Sequence, residues 1–191
     1  SLFLDVPVYV EEQFFTEIEK LSLNMNFNKK NGGDIKVVYT PLHGSGRFHI
    51  PEILNRLGFT NLVRVEEQFT PDGNFPTVKS PNPEESEALS MAIDVAKNTD
   101  ADILFGSDPD CDRIGIAVKH NTEYVLLNGN ETGIVIAYYM LSKHFENKTL
   151  PENAYVIKTI VTTDLIYDIA DEFDVSVIDT LTGFKYIGGI I

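Results

Sequence analysis

The stretch Ile35-Lys36-Val37-Val38-Tyr39, with the turn Pro41-Leu42-His43-Gly44-Ser45-Gly46 that follows it, decides the fold class of this chain. Its first five residues are mostly β-branched and apolar, which predicts a buried strand. After the turn, apolar residues recur at helical spacing until Gly58, and Leu62-Val63-Arg64-Val65 then predicts a second strand. A strand, a helix and a strand joined by short turns indicate a parallel βαβ unit.

The same alternation continues along the rest of the chain. Strands are predicted at 101–105, 113–118 and 124–127, the last two as a hairpin, and a helix is predicted to begin at Pro83. After a predicted boundary at Asn128-Gly129-Asn130, helices and strands alternate again. We therefore predict an α/β fold of mostly parallel, doubly wound sheets flanked by helices, in two consecutive α/β units of which the second is incomplete. The predicted division is an N-terminal helix and linker at 1–33, one α/β domain at 34–128 and another at 129–191.

The composition excludes several classes of protein. Its 191 residues carry 15 Lys and Arg against 29 Asp and Glu, a formal net charge of −14, so we expect no nucleic-acid partner. No stretch approaches the roughly 18 consecutive apolar residues of a membrane span, so we expect no membrane partner. A single cysteine can form neither an internal disulfide nor a zinc cage, which favours a cytoplasmic location.

The segment Asp108-Pro109-Asp110-Cys111-Asp112-Arg113 follows the strand predicted at 101–105 and is the strongest local feature. Ligands of α/β proteins bind at the carboxyl ends of strands, and three neighbouring carboxylates repel one another unless a cation lies between them. Asp108, Asp110 and Asp112 are therefore candidate ligands of Mg²⁺, which prefers oxygen. Arg113 could hold a phosphate group, pair with an aspartate, or do both. The plainer alternative is a solvated acidic turn that ends the strand.

Two further turns leave a structural and a functional interpretation open. The glycines at 44 and 46 permit close backbone approach and could help to bind an anion, but the turn lacks the dinucleotide and Walker patterns. A tight structural turn is at least as well supported there. Thr182, Gly183 and Lys185 would suit contact with a sugar or a phosphate, although the frequency of such turns favours an ordinary turn between a strand and a helix.

Taken together, these motifs resemble the α-D-phosphohexomutase superfamily, which contains the phosphoglucomutases and phosphomannomutases. The resemblance extends over nearly all of the chain from about Ile35, and the forms Asp-Pro-Asp-Cys-Asp-Arg and Leu-Thr-Gly-Phe-Lys are most similar to the phosphoglucomutase branch. Its segments are Leu42-His43-Gly44-Ser45-Gly46, Pro71-Asp72-Gly73-Asn74-Phe75-Pro76, Pro81-Asn82-Pro83-Glu84, Asp108 to Arg113, Gly129-Asn130-Glu131-Thr132-Gly133 and Thr182-Gly183-Phe184-Lys185.

The resemblance implies a function and a role for each candidate residue. Members of the superfamily move a phosphate between C1 and C6 of a hexose through an active-site phosphoserine, so glucose 1-phosphate, glucose 6-phosphate and glucose 1,6-bisphosphate are the implied partners. Asp108, Asp110 and Asp112 would hold Mg²⁺ in the second of four domains. Arg113 would lie beside them, and Thr182 with Gly183 would lie near the sugar in the third domain, where Lys185 is a further candidate substrate contact.

The sequence also differs from the superfamily pattern. The Thr-Ala-Ser-His-Asn-Pro segment that holds the phosphoserine is absent, and so is the Gly-Glu-Glu sugar loop that is expected after Lys185. We therefore expect a fragment of a mutase, the second domain and part of the third, which depends on the missing domains and is inactive alone. The choice among glucose, mannose, glucosamine and pentose phosphates stays open. Two alternatives are a haloacid-dehalogenase-like phosphatase and a stand-alone module that binds a sugar phosphate or a metal.

Overall fold

The computed structural model describes residues 4–191, which divide into unit 1, ending at Leu127, and unit 2, beginning at Asn128. The strands of unit 1 are β1 (Val37–Thr40), β2 (Leu62–Arg64), β3 (Ile103–Ser107), β4 (Ile114–His120) and β5 (Glu123–Leu127). Its α-helices are α1 (Val8–Lys20), α2 (Met25–Asn31), α3 (Gly46–Arg56) and α4 (Ser90–Thr99), with short 3₁₀ turns at Gly32–Asp34 and Glu66–Gln68. Unit 2 contains α5 (Gly129–Glu146), β6 (Tyr155–Thr159), α6 (Leu165–Glu172), β7 (Ser176–Thr180) and α7 (Phe184–Gly188).

Unit 1 is built on a sheet with the strand order β2-β1-β3-β4-β5. The strands β2, β1 and β3 are parallel, while β3, β4 and β5 pair antiparallel, so four of the five strands run in one direction. All four residues of β1 are buried, which requires cover on both faces of the sheet. The predicted α/β fold with a mostly parallel sheet flanked by helices is therefore confirmed, and the predicted hairpin is present as β4 and β5.

The core of unit 1 lies between α4 and the sheet. Ala92 and Ala96 of α4 are fully buried in one cluster with Val38 of β1 and Leu104 of β3. These small side chains let the helix approach the β-branched and leucine side chains of the strands closely, which is how such a core reaches high packing density. The packing fixes β1 and β3, and the two turns that follow these strands are therefore held on a rigid frame.

The start of α4 differs from the sequence prediction. The helix begins at Ser90 rather than at Pro83. Between them the chain forms consecutive turns, in which the backbone N–H groups of Glu85, Ala88 and Ser90 each donate to a carbonyl three residues earlier. The Asn82 side chain accepts from the Glu84 N–H at 3.2 Å. The turn hydrogen bonds reach back three residues rather than the four of an α-helix, so the segment stays in turns until Ser90.

Unit 2 has a smaller frame of the same kind. Its strands β6 and β7 are parallel and pair from Tyr155 with Ser176 to Thr159 with Thr180. Ile169, Ala170 and Phe173, on α6 and at its end, pack with Leu141 of α5 in a second core cluster. The side chain and backbone of Asn128 form a capping box with Glu131, which accounts for the start of α5 at Gly129.

Within residues 4–191, none of the helices combines the length and the apolar character that crossing a membrane requires.

Candidate metal centre

The three predicted metal ligands lie together in unit 1. Asp108, Asp110 and Asp112 each offer a carboxylate oxygen, and these atoms lie within 4.8 Å of one another. Asp108 is only 2% exposed, whereas Asp110 and Asp112 are exposed. The cluster therefore has one ligand fixed in the protein and two that face solvent. We call the segment from Asp108 to Arg113 the metal loop.

The metal loop is organised around the buried carboxylate. Its oxygens accept from the backbone N–H of Arg113 and from the Arg113 Nε, both at 3.0 Å. The Asp108 carbonyl accepts from the N–H of Cys111 at 3.1 Å, and Cys111 has a positive φ of 66°. The chain therefore curls back over Asp108, and the Cys111 sulfur lies 3.5 Å from the Ser107 hydroxyl, outside the carboxylate cluster.

The glycine-containing turn after β1 packs directly against the metal loop. The backbone N–H and the hydroxyl of Ser45 both donate to the Pro109 carbonyl, at 2.9 and 3.0 Å. A Cβ at Gly44 would lie 2.6 Å from that same oxygen, and a Cβ at Gly46 would lie 2.7 Å from the Cys111 sulfur. Protein atoms thus lie close beside both glycines, and the N–H groups of Gly44 and Ser45 already donate to the Pro41 and Pro109 carbonyls. This geometry favours the structural interpretation of the turn.

His43 ties the same turn to the proline-rich segment after β2. The His43 ring is buried, with Nδ1 2.8 Å from the Thr70 carbonyl and Nε2 2.8 Å from the Thr77 hydroxyl. Since the Thr70 carbonyl can only accept, Nδ1 donates to it, and the Thr77 hydroxyl also accepts from the Gln68 amide at 3.1 Å. Gln68 in turn accepts from Thr40 at 2.6 Å. This series of buried hydrogen bonds therefore positions the proline-rich segment after β2.

The carboxylates of the metal loop have unequal proton affinities. Burial raises the pKa of Asp108, but hydrogen bonds from Arg113 outweigh it, so that the pKa lies below the ordinary value. The pKa of Asp112 is raised. The main cause is its hydrogen bond with Asp108, which favours the protonated form of Asp112, and the next is repulsion between the negative charges of Asp110 and Asp112. Crowding in which one carboxylate disfavours the charge of its neighbour is the pattern that a divalent cation relieves.

The donor set also fits Mg²⁺. All three ligand atoms are carboxylate oxygens, which hard cations prefer. Two ligands of one Mg²⁺ lie at most about 4.2 Å apart, since each is roughly 2.1 Å from the ion, so the observed spread is close to what the ion needs. Because Asp110 and Asp112 are exposed, core packing does not prevent the small side-chain rotations that would bring their oxygens to this spacing.

Thr182, Gly183 and Lys185 belong to unit 2; the first two lie in the turn between β7 and α7, and Lys185 lies in the first turn of α7. Thr182 and Lys185 are exposed, and the Lys185 ammonium lies 4.8 Å from the centre of the Tyr186 ring. Gly183 has a φ of 129°, a conformation that side chains with a Cβ rarely adopt. The side chains of Thr182 and Lys185 are therefore accessible, whereas Asp108 is buried and held by Arg113.

One feature of unit 2 that sequence reasoning missed lies just before this turn. Lys158 of β6 is 6% exposed, and its ammonium lies 3.1 Å from the Asp164 carboxylate and 3.0 Å from that of Asp179. The Tyr167 hydroxyl donates to Asp179 as well. The signal was a lysine inside the apolar run Val156-Ile157-Lys158, with an aspartate at the matching place in the next strand. Register, which a sequence does not display, brings the two together.

Comparison with known proteins identifies the class to which this fold and loop belong. Residues 12–121 match the family model described as phosphoglucomutase/phosphomannomutase, alpha/beta/alpha domain II, and residues 128–190 match that of domain III. Because the first match alone covers more than half of the chain, the chain belongs to the phosphoglucomutase/phosphomannomutase family.

Individual relatives agree with this assignment. The chain is 36% identical over 177 residues to a phosphoglucomutase of Staphylococcus saprophyticus, a match that covers 92% of the chain and 32% of the relative. It is 32% identical over 176 residues to a phosphomannomutase of Mycoplasmoides pirum, with coverages of 92% and 31%. The chain thus spans about a third of the length of these curated relatives. It represents a fragment of such a protein.

A solved structure supports the fold. The crystal structure of a phosphoglucomutase/phosphomannomutase family protein from Burkholderia thailandensis superposes with a TM-score of 0.66 at 23% identity, covering 86% of this chain and 34% of the other. At that level of identity the likeness concerns the fold. It agrees with the sheet and helices described above.

Proposed function

We propose that this chain is the metal-binding portion of a phosphohexomutase, with Asp108, Asp110 and Asp112 as the ligands of Mg²⁺. The observation that carries the proposal is the convergence of three carboxylate oxygens within 4.8 Å beside Arg113. The complete protein would move a phosphate reversibly between C1 and C6 of a hexose phosphate. Its substrates would be glucose 1-phosphate and glucose 6-phosphate, with glucose 1,6-bisphosphate as the intermediate.

Within this mechanism the residues of the metal loop have separate tasks. When bound, Mg²⁺ would supply charge neutralisation to the phosphoryl group in transfer. Asp108 is held ready as a carboxylate because Arg113 donates to both of its oxygens. The guanidinium of Arg113 donates to Asp108 through Nε. The two terminal nitrogens of this half-exposed side chain therefore lie away from that contact and suit a phosphate.

The turn after β7 would supply contacts to the sugar. Thr182 offers a hydroxyl, and Lys185 offers an ammonium to a phosphate group; both side chains are accessible. Gly183 provides the backbone conformation that the turn requires. We propose the boundaries 1–33 for an N-terminal helix and linker, 34–128 for the domain with the metal loop and 129–191 for part of the sugar-binding domain. The start of the second matched family model at residue 128 agrees with the boundary between the second and third ranges, whereas the first model begins at residue 12, inside the first range.

The metal site is tested by titrating the chain with Mn²⁺, a paramagnetic substitute for Mg²⁺. Asp110→Asn removes one ligand charge without disturbing buried Asp108, and we expect affinity to fall at least 10-fold, since even loss of a group that only supports a ligand costs roughly 10- to 100-fold. Asp94→Asn, which removes an exposed carboxylate from α4, is the matched control and should leave binding unchanged. Equal affinities for Asp110→Asn and the unaltered chain would contradict the metal role.

The activity of the isolated chain is a second test. No serine of the sequence lies in a Ser-His-Asn-Pro context, so we expect no conversion of glucose 1-phosphate to glucose 6-phosphate in the presence of Mg²⁺ and glucose 1,6-bisphosphate. Turnover would show that the chain is active alone. Mg²⁺-dependent hydrolysis of a generic phosphate monoester would instead support the phosphatase alternative. The single cysteine agrees with our proposal of a cytoplasmic location.

A further inference from the structure

We infer that a groove along the edge strand of unit 1 is a second binding site, for the phosphate group of a small phosphorylated polyol. The groove lies between α3 and β2 and has a volume of about 570 Å³, within the usual range for pockets that bind small ligands. Arg47, Arg64 and Phe69 are among its lining residues, and the aspartates of the metal loop are not. We call it the β2 groove.

Two guanidinium groups of the β2 groove meet at Phe69. Arg47 Nη1 lies 3.4 Å from the Phe69 carbonyl, and its guanidinium carbon lies 4.1 Å from the centre of the Phe48 ring. The guanidinium carbon of Arg64 lies 5.2 Å from the centre of the Phe69 ring. Aromatic contacts of this kind orient the planar fork without using up its donors. Both guanidinium groups thus contact Phe69 and line the same groove, and each keeps N–H groups that these contacts do not use.

The charge environment of these arginines differs from that of the other two. Arg56 lies within ion-pair distance of Glu12, Glu19 and Glu52, and Arg113 of Asp108 and Asp112. Between residues 4 and 191, neither Arg47 nor Arg64 has a carboxylate within that distance. A chain with a net charge of −14 offers acidic partners almost everywhere, so two guanidiniums that lack one in a shared groove indicate a place for an external anion.

The rest of the lining favours a ligand that also carries hydroxyl groups. Two carboxylates line the groove, but that of Glu52 is bound by the Nε of Arg56 at 2.7 Å, which leaves Glu66 as an acceptor. Asn55, Thr60 and Thr70 add an amide and two hydroxyls. A phosphate would lie at the arginines, and polyol hydroxyls would bond to these neutral groups and to Glu66. A second negative charge far from the arginines would be repelled by Glu66.

The test is a titration of the full chain with inorganic phosphate and, separately, with glucose 6-phosphate, followed by amide NMR shifts. A chelator is present throughout, so the result does not depend on the metal site of the proposed function. We expect saturable binding with a Kd of about 1 mM or tighter, stronger for glucose 6-phosphate than for phosphate, with shifts centred on Phe69 and Thr70. Absence of saturable binding would overturn the inference.

Variants then locate the site. Arg64→Gln and Arg47→Gln should each weaken binding at least 10-fold, and Arg64→Lys, which keeps the charge but loses the planar fork, should retain part of the affinity. Lys30→Gln removes an exposed positive charge from α2 and should have no effect. Circular dichroism checks that each variant is folded. An equal loss in Lys30→Gln would show nonspecific attraction, and a loss confined to Arg113→Gln would place the anion at the metal loop; either result would overturn the inference.

Discussion

The metal loop after β3 and the turn after β7 occupy the same topological position, yet they are built differently. The metal loop is held by backbone contact with the turn after β1, through Ser45 and Pro109, and its first aspartate is buried. The turn after β7 is open, with Leu181 54% exposed and Phe184 79% exposed. Carboxylates that repel one another stay close together only where packed protein atoms hold them. A turn that contacts a sugar requires only an accessible backbone of the right shape.

The sharpest way to break the metal loop is to add one carbon at Gly44. In Gly44→Ala the new Cβ would overlap the backbone at Pro109, including its carbonyl oxygen at 2.6 Å. Backbone atoms cannot rotate aside as a side chain does, so we expect a loss of about 3 kcal/mol in the free energy of unfolding, measured by urea denaturation.

The control for this variant is Gly73→Ala. A Cβ at Gly73 would meet no atom within 4 Å, so its stability should stay within about 0.5 kcal/mol of the unaltered chain. Mn²⁺ affinity should fall in Gly44→Ala and not in Gly73→Ala. If both variants were equally stable, the turn after β1 would not be what supports the metal loop.

The turn after β7 should respond to a different property of its glycine. A Cβ at Gly183 would make ordinary contacts of 3.5 and 3.7 Å with the Tyr186 ring, but the φ of 129° is strained for any residue with a side chain. We expect Gly183→Ala to cost roughly 1–2 kcal/mol in the free energy of unfolding, less than Gly44→Ala. Gly133→Ala, at a helical site with open space around it, is the control and should not destabilise the chain. A loss as large as that of Gly44→Ala would mean that the turn is packed, not open.

The sequence predicted those features of the structure that depend on residues close together in the chain. The strand at 35–39 and the hairpin around His120-Asn121-Thr122 were predicted because periodicity and a short polar connection are local signals. The convergence of the three aspartates was predictable because they lie within five residues of one another. The start of α4 was misplaced because the residues after Asn82 form turns with hydrogen bonds that reach back three residues, and acidic residues after a proline are typical of such turns as well as of a helix start.

Features that depend on tertiary contact were not predicted. The chain of hydrogen bonds from Thr40 through Gln68 and Thr77 to His43 joins residues separated by up to 34 positions. The cluster of Lys158 with Asp179 depends on strand register. Such pairings are set by packing, so the sequence alone could single out His43 as a residue of interest without revealing what it holds.

The smallest expected effect concerns the pH dependence of unit 2. The hydrogen bond from Tyr167 and then that from Lys158 hold the pKa of Asp179 below its ordinary value. A folded-state pKa below the unfolded value of about 3.9 means that this stabilisation is complete above that pH and is lost as the pH falls through the folded-state pKa. Asp179→Asn should therefore reduce the difference in unfolding midpoint between about pH 3 and pH 7.

The alkaline side provides an independent check on the same cluster. Burial lowers the pKa of Lys158, but the hydrogen bonds that its ammonium donates to Asp179 and Asp164 outweigh burial and raise the pKa overall. That stabilisation is complete below the unfolded pKa of about 10.4 and is lost as the pH rises through the folded-state pKa. Asp179→Asn should therefore also reduce the loss of stability at alkaline pH. Asp168→Asn, which alters an exposed carboxylate of α6, should change neither limb. Urea unfolding followed through NMR signals of β6 and β7 measures both limbs, and an unaltered profile in Asp179→Asn would show that the cluster contributes nothing to the stability of unit 2.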